Sequence, residues 1–94
     1  MDIYTVVLSK GAKDDLKKVP PYIAAKLAYW IDAVSHDGLL KIRKIPGYHD
    51  EPLKGKRAGQ RSIRLNKAYR AIYVIDKTGA TELINIEEVN KHDY

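Results

Sequence analysis

Ile23, Leu27, Trp30, Ile31 and Val34 recur at offsets of four, seven, eight and eleven residues. That spacing places all five on one face of an α-helix, and the face must be covered by another part of the chain. Pro20-Pro21 opens this helix, and Gly38, after His36-Asp37, suits a left-handed cap at its end. The cover comes after residue 60. Arg61 to Leu65 alternates polar and apolar side chains, Tyr69 to Ile75 is an almost continuous apolar run as in a central strand, and Thr81 to Val89 reads as a last strand. Asn66-Lys67 and Asp76 to Ala80, around Gly79, are turns short enough to make these strands antiparallel neighbours.

The N-terminal part supplies a first strand, Ile3 to Leu8, rich in β-branched residues. Ser9 can cap a short helix in which Ala12, Leu16 and Val19 recur at helical spacing, with Asp14 and Asp15 near its positive end. Leu39 to Ile45 reads either as a further helical turn or as an extended segment. Pro46 to Gln60, with two prolines and three glycines, reads as loop. Asn90 to Tyr94 is a tail. The expected architecture is α+β, a small antiparallel sheet packed against two N-terminal helices in the order β-α-α-β-β-β. The 94 residues fit one domain spanning 1–94, with no internal repeat and no linker.

Several chemistries are excluded by residue type. There is no cysteine, so no disulfide framework, thiolate zinc site or catalytic thiol is expected, which fits a reducing cytoplasm. The opening MDIYTVVLSKGAKDD lacks the basic-then-apolar pattern of a signal peptide, and the apolar runs are too short to span a bilayer. The three histidines, His36, His49 and His92, show no metal-ligand spacing. There is no Gly-rich phosphate loop and no G-x-S-x-G elbow. No metal and no cofactor is expected.

Charge points toward a polyanion. Lys and Arg number 17 against 12 Asp and Glu, a net charge of +5. Lys54, Lys56, Arg57, Arg61, Arg64, Lys67 and Arg70 follow one another with no acid between them, and Lys41, Arg43 and Lys44 lie just upstream. The acids gather in the early helix and the last strand. Strand alternation turns Arg64 away from Ile63 and Leu65, and puts Arg70 on the face of Ile72 and Val74. An Arg at the mouth of an apolar strand presents a rigid fork suited to phosphate, unless a Glu of the next strand takes it. Among seven tyrosines, Tyr29, Tyr69 and Tyr73 read as core or half-buried, and Tyr48 and Tyr94 as candidates to stack on splayed bases.

RNA carries its own nucleophile, the 2′-OH. Cleavage needs a base for that proton, cations for the charge on phosphorus and an acid for the leaving 5′ oxygen. The candidate bases are Glu51 and Asp50. The candidate acids are His92, His49 and Tyr94. A Glu ringed by Arg and Lys has a depressed pKa and is a weaker base, which partial burial would counter.

The run from Glu51 to Tyr73 holds E-P-L-K-G, then G-x-R-S-x-R, then Y-R-x-x-Y. It resembles the signature of the RelE/ParE-superfamily toxins, as do the stretch from Tyr4 to Pro20 and the terminal tail with its His. The resemblance implies the toxin of a type II toxin–antitoxin pair. RelE-, YoeB- and HigB-like members enter the ribosomal A site and cut the mRNA there without a metal. The implied partners are a cognate antitoxin, mRNA and the 70S ribosome with its 16S rRNA. It further implies Glu51 as general base, Arg70 as stabiliser of the transition state and His92 as general acid. Lys54 and Arg64 would hold the mRNA backbone, and Lys56, Arg57 and Arg61 would bind ribosomal RNA, with Lys67 and Tyr48 in the same basic surface. Where several members end in His-Tyr, this chain has His92-Asp93-Tyr94, so Tyr94 stands as a substitute for a terminal Tyr. Asp93 would raise the pKa of its neighbour, and His49 could share the work of Glu51. ParE-like relatives inhibit DNA gyrase and generally lack the Glu/His pair. That reading, and a non-catalytic RNA-binding domain, are the alternatives.

Overall fold

The computed structural model describes residues 2–91. Its elements are β1 (Val6–Leu8), α1 (Lys10–Leu16), α2 (Pro21–Asp37), α3 (Leu39–Ile42), β2 (Glu51–Pro52), β3 (Arg61–Arg64), β4 (Tyr69–Thr78) and β5 (Thr81–Lys91). Short 3₁₀ turns at Pro46–Tyr48 and Gly55–Arg57 flank β2. The strands form one sheet in the order β1-β5-β4-β3-β2. The α+β class is as expected, but the sheet is mixed: β1 runs parallel to β5, with Val6 beside Ile84 and Leu8 beside Ile86. The strands joined by short turns are antiparallel. The first strand returns to the sheet only through the last, long after the helices have carried the chain across, and such a crossover permits parallel pairing.

Ile23, Leu27, Trp30 and Val34 of α2 are buried, as their spacing predicts, against Ile63, Ala71, Tyr73, Ile84 and Ile86. The Trp30 and Tyr73 rings meet with centroids 5.4 Å apart. Tyr29 is the exception: it is 71% exposed, because a residue next to Trp30 lies about 100° round the helix from it. The ambiguous segment after Gly38 forms the helical turn α3, which buries Leu39 and Ile42. Gly38 sits at φ 88° and ψ 153°, a conformation open essentially to glycine alone. A Cβ there would collide with the Asp2 carboxylate, which accepts hydrogen bonds from the Ile3 and Leu40 backbone N–H groups.

Helix α1 covers the edge of β5. Ser9 caps it as expected, its Oγ accepting from the Ala12 N–H at 3.0 Å. A bulge at Glu87 shifts the register of β5 against β4, since Ile72 pairs with Glu88 but Tyr73 with Ile86. The Val89 N–H donates to the Asp15 carboxylate of α1 at 2.9 Å. Boundaries elsewhere moved outward. The β4–β5 hairpin pairs as far as Thr78 with Thr81, leaving only Gly79-Ala80 as the turn, and Asn90 and Lys91 belong to β5 rather than to a tail. Among the described residues, no helix is long and apolar enough to cross a membrane.

Candidate active site

The helices cover one face of the sheet. The other face carries every second residue of β3 and β4: Ser62, Arg64, Arg70 and Ile72, with Asn90 of β5 opposite Arg70. The segment from Leu53 to Gln60 folds over this face. Beneath it lies a cleft of about 210 Å³ lined by Leu53, Arg57, Ser62, Arg70, Ile72 and Asn90.

Arg70 lines this cleft and is only 7% exposed. A guanidinium so far out of water must be hydrogen-bonded. Its Nη1 donates to Ser62 Oγ at 2.8 Å and to Glu51 Oε1 at 3.1 Å. Ser62 is itself fully buried. The Glu51 side chain remains 44% exposed at the rim, with His49 Nε2 3.3 Å from its other oxygen. The Arg70 hydrogen bond holds the Glu51 carboxyl below the usual carboxylate range; slight desolvation opposes it, and His49 adds to the lowering. Glu51 reaches this position because β2, within the segment read as loop, pairs with β3 and sets Glu51 opposite Ser62.

Asp50, the other candidate base, points the opposite way. Its side chain is fully buried, accepting from Arg61 Nε at 2.7 Å and from the Tyr73 hydroxyl at 2.6 Å. Burial and the Asp50 carboxylate both push the Tyr73 phenol far up. Arg61 is therefore tied to the helix side of the sheet. Arg57 is also engaged, with Nη1 and Nη2 donating to the two Glu88 oxygens at 3.0 and 3.2 Å. Gln60 donates to Glu87 at 2.9 Å. The acids of the last strand thus do not stand apart from the basic segment. The sheet order lays β5 beside β4, and the loop bends back to meet it.

Lys54, Lys56, Arg64 and Lys67 are exposed. Arg64 pairs across from Arg70 on the open face, so it is the basic residue nearest to it in register. Tyr48 is half-buried against the core, and Lys26 Nζ lies 5.4 Å from its ring centre. Burial raises the Tyr48 phenol pKa. His92 and Tyr94 lie outside the described residues; Asn90 and Lys91, the last described, pair with Arg70 and Tyr69. The reading of the sequence missed Ser62, Glu88 and Asn90. Ser62 could have been found from strand alternation alone, since it stands two residues before Arg64. Glu88 and Asn90 could not, because their nearness depends on the bulge and on strand order.

A small sheet with helices on one face and a buried Arg beside a carboxylate on the other defines a class of small basic α+β proteins. Comparison with known proteins narrows it. No family model matches the sequence, and no curated protein matches it. Solved structures do. The RelBE2 toxin–antitoxin complex of Mycobacterium tuberculosis contains a chain 27% identical, superposing with a TM-score of 0.68 over 96% of this chain and 99% of that one. YafQ from E. coli superposes with a TM-score of 0.72 at 19% identity, over 93% of this chain and 91% of that one. The YoeB dimer of Staphylococcus aureus gives 0.66 at 21% identity over 100% of both chains. In fold the chain is similar to these toxins of toxin–antitoxin systems, in line with the resemblance of its motifs to the RelE/ParE superfamily.

Proposed function

We propose that this chain, acting as one domain, is a metal-independent RNA endonuclease that cuts mRNA in the ribosomal A site. One observation carries the reading: Arg70, almost wholly buried where it lines the cleft, donates at 3.1 Å to the half-exposed carboxylate of Glu51 at the rim. A structural ion pair has no need of a cleft. A base and a phosphate-binding cation need one.

The chemistry follows from that pair. A phosphodiester entering the cleft brings negative charge to Arg70 and competes with Glu51 for its guanidinium. Glu51 is then relieved of the contact that lowers its pKa and becomes a better base. It takes the proton of the 2′-OH, O2′ attacks phosphorus, and Arg70 stabilises the charge on the pentacoordinate phosphorane. The P–O5′ bond breaks, leaving a 2′,3′-cyclic phosphate and a 5′ oxygen that takes a proton from the acid. By the resemblance that acid is His92, with Tyr94 beside it, and His49 is the alternative already adjacent to Glu51. Arg64 and Lys54 hold the backbone, and Lys56 and Lys67 approach ribosomal RNA. Arg57 and Arg61 contribute to RNA binding only on release from Glu88 and Asp50. The proposed protein partner is an antitoxin that covers the basic open face; RelBE2 was solved as a toxin–antitoxin complex.

The test is toeprinting of a defined mRNA on purified ribosomes with the wild-type protein and Arg70→Ala. Cleavage in the A site that disappears in the variant supports the reading. Full activity in Arg70→Ala refutes the role of the Arg. Cleavage by neither protein, with inhibition of gyrase supercoiling, would identify a ParE-like inhibitor instead.

A further inference from the structure

The cluster of Asp50, Arg61 and Tyr73 lies on the side of the sheet away from the cleft. Its carboxylate is fully buried, and both of its hydrogen bonds are short, at 2.7 and 2.6 Å. The donors come from two different strands, β3 and β4. Burying a carboxylate is costly unless it is fully partnered. A hydrophobic residue would fill the same space without that cost, so the polar cluster is read through what stands next to it.

We propose that Asp50 is the positioning residue for Glu51, pinning the chain on the helix side of the sheet so that the next side chain is presented to Arg70 on the open side. The inference rests on Glu51 acting as the base. Its geometry is that of an extended strand, in which successive side chains point to opposite faces. Anchoring Asp50 below therefore directs Glu51 above. The strand concerned is only two residues long, Glu51–Pro52, and Pro52 has no N–H to give the ladder. So short a strand has little hold of its own. The residue before the anchor, His49, stands at φ 46° and ψ 49°, the left-handed region that a side chain other than glycine's enters at a cost. Such a conformation persists where surrounding contacts over-determine it: the His49 N–H donates to the Pro46 carbonyl at 3.0 Å, and the two Asp50 hydrogen bonds fix the residue that follows. Tyr73 is also held by a tilted ring contact with Trp30, so the anchor is tied into the centre of the core.

The test uses Tyr73→Phe, which keeps the ring and its packing but removes one hydrogen bond without changing charge. Asp50→Asn is a second variant. The first readout is the ¹³C titration of the Glu51 carboxyl, its signal identified by its absence in Glu51→Gln. Among the described residues, the charged groups facing Glu51 are Arg70 from β4 and His49 from the preceding turn. In the wild type the midpoint lies below the ordinary glutamate value. Loss of positioning lengthens the Arg70 contact and moves the midpoint up in both variants. A purely electrostatic effect of removing the Asp50 charge would move it down in Asp50→Asn and leave it unmoved in Tyr73→Phe. The second readout is single-turnover RNA cleavage. Tyr73→Phe should lower kcat about tenfold with KM unchanged, as expected for one charge-assisted hydrogen bond. In the Glu51→Gln background the same change should have no further effect, because both act through one group. An unmoved Glu51 midpoint in both folded variants overturns the proposal. So does a Tyr73→Phe effect that multiplies with Glu51→Gln. If Glu51→Gln cleaves as well as the wild type, the base reading fails, and the titration alone then decides whether the cluster orients Glu51.

Discussion

Ser62→Ala removes a single oxygen from the site, and its consequence can be worked out from the geometry. Ser62 is fully buried, Arg70 is 7% exposed, and the Oγ accepts from Nη1 at 2.8 Å. A hydrogen bond to a charged group contributes about 1.5–3 kcal/mol, and water cannot readily replace one that is buried. Glu51 still accepts from the same nitrogen at 3.1 Å, so that N–H group is not left without an acceptor. The loss should therefore lie at the low end, about 1.5–2 kcal/mol. At about 4–8 °C per kcal/mol for a domain of this size, Tm should fall by about 6–16 °C. Cleavage should fall by roughly tenfold, far less than in Arg70→Ala, because the cation is loosened rather than removed. The assay is thermal unfolding followed by circular dichroism, repeated in an Arg70→Met background, where Ser62→Ala should have little effect left. A Tm within about 2 °C of wild type, or an equal loss in the Arg70→Met background, would refute the claim that Ser62 holds the guanidinium.

Three further outcomes are expected. Under the proposed mechanism the ionised carboxylate is the active form of Glu51, and its pKa in the free protein is depressed, so kcat/KM, which reports the free enzyme, should persist as pH falls through the ordinary glutamate value of 4.5 and decline only below it. By the same sign, the Glu51–Arg70 contact contributes stability that is complete above 4.5 and is lost as pH falls through the lower folded value, so the acid limb of a Tm-versus-pH curve should flatten in Glu51→Gln. Gly38→Ala should cost about 1–3 kcal/mol, read by urea unfolding, since the backbone there is glycine-only and the Cβ meets Asp2; an unchanged midpoint would show that the turn can rearrange. Arg57→Ala should change stability by less than about 1 kcal/mol because its pair with Glu88 is exposed, so any larger loss of RNA affinity in that variant reports on RNA contact rather than on folding.

Local pattern alone determined much of this protein. The α2 face of Ile23, Leu27, Trp30 and Val34, the cap at Ser9 and the strands around Ile63 and Ile72 follow from periodicity and turn chemistry, because those signals act within a few residues of each other. The same alternation put Arg70 on the face of Ile72 and Val74, but that this face lies away from the helices was decided by the packing. Short apolar runs carry less: Leu39 to Ile42 reads as helix or strand until its partners are known, and Glu51–Pro52 has no strand signal at all. Pairing direction, the Glu87 bulge and strand order are long-range, and they decide what meets what. Only they bring Ser62 and Glu51 to one nitrogen of Arg70, turn Asp50 to Arg61 and Tyr73 beneath the sheet, and draw Glu88 onto Arg57. Residue type gave the chain its cations and carboxylates. Which of them stand exposed and which are held by one another was decided by the packing of five strands, whose parallel register sets Val6 beside Ile84.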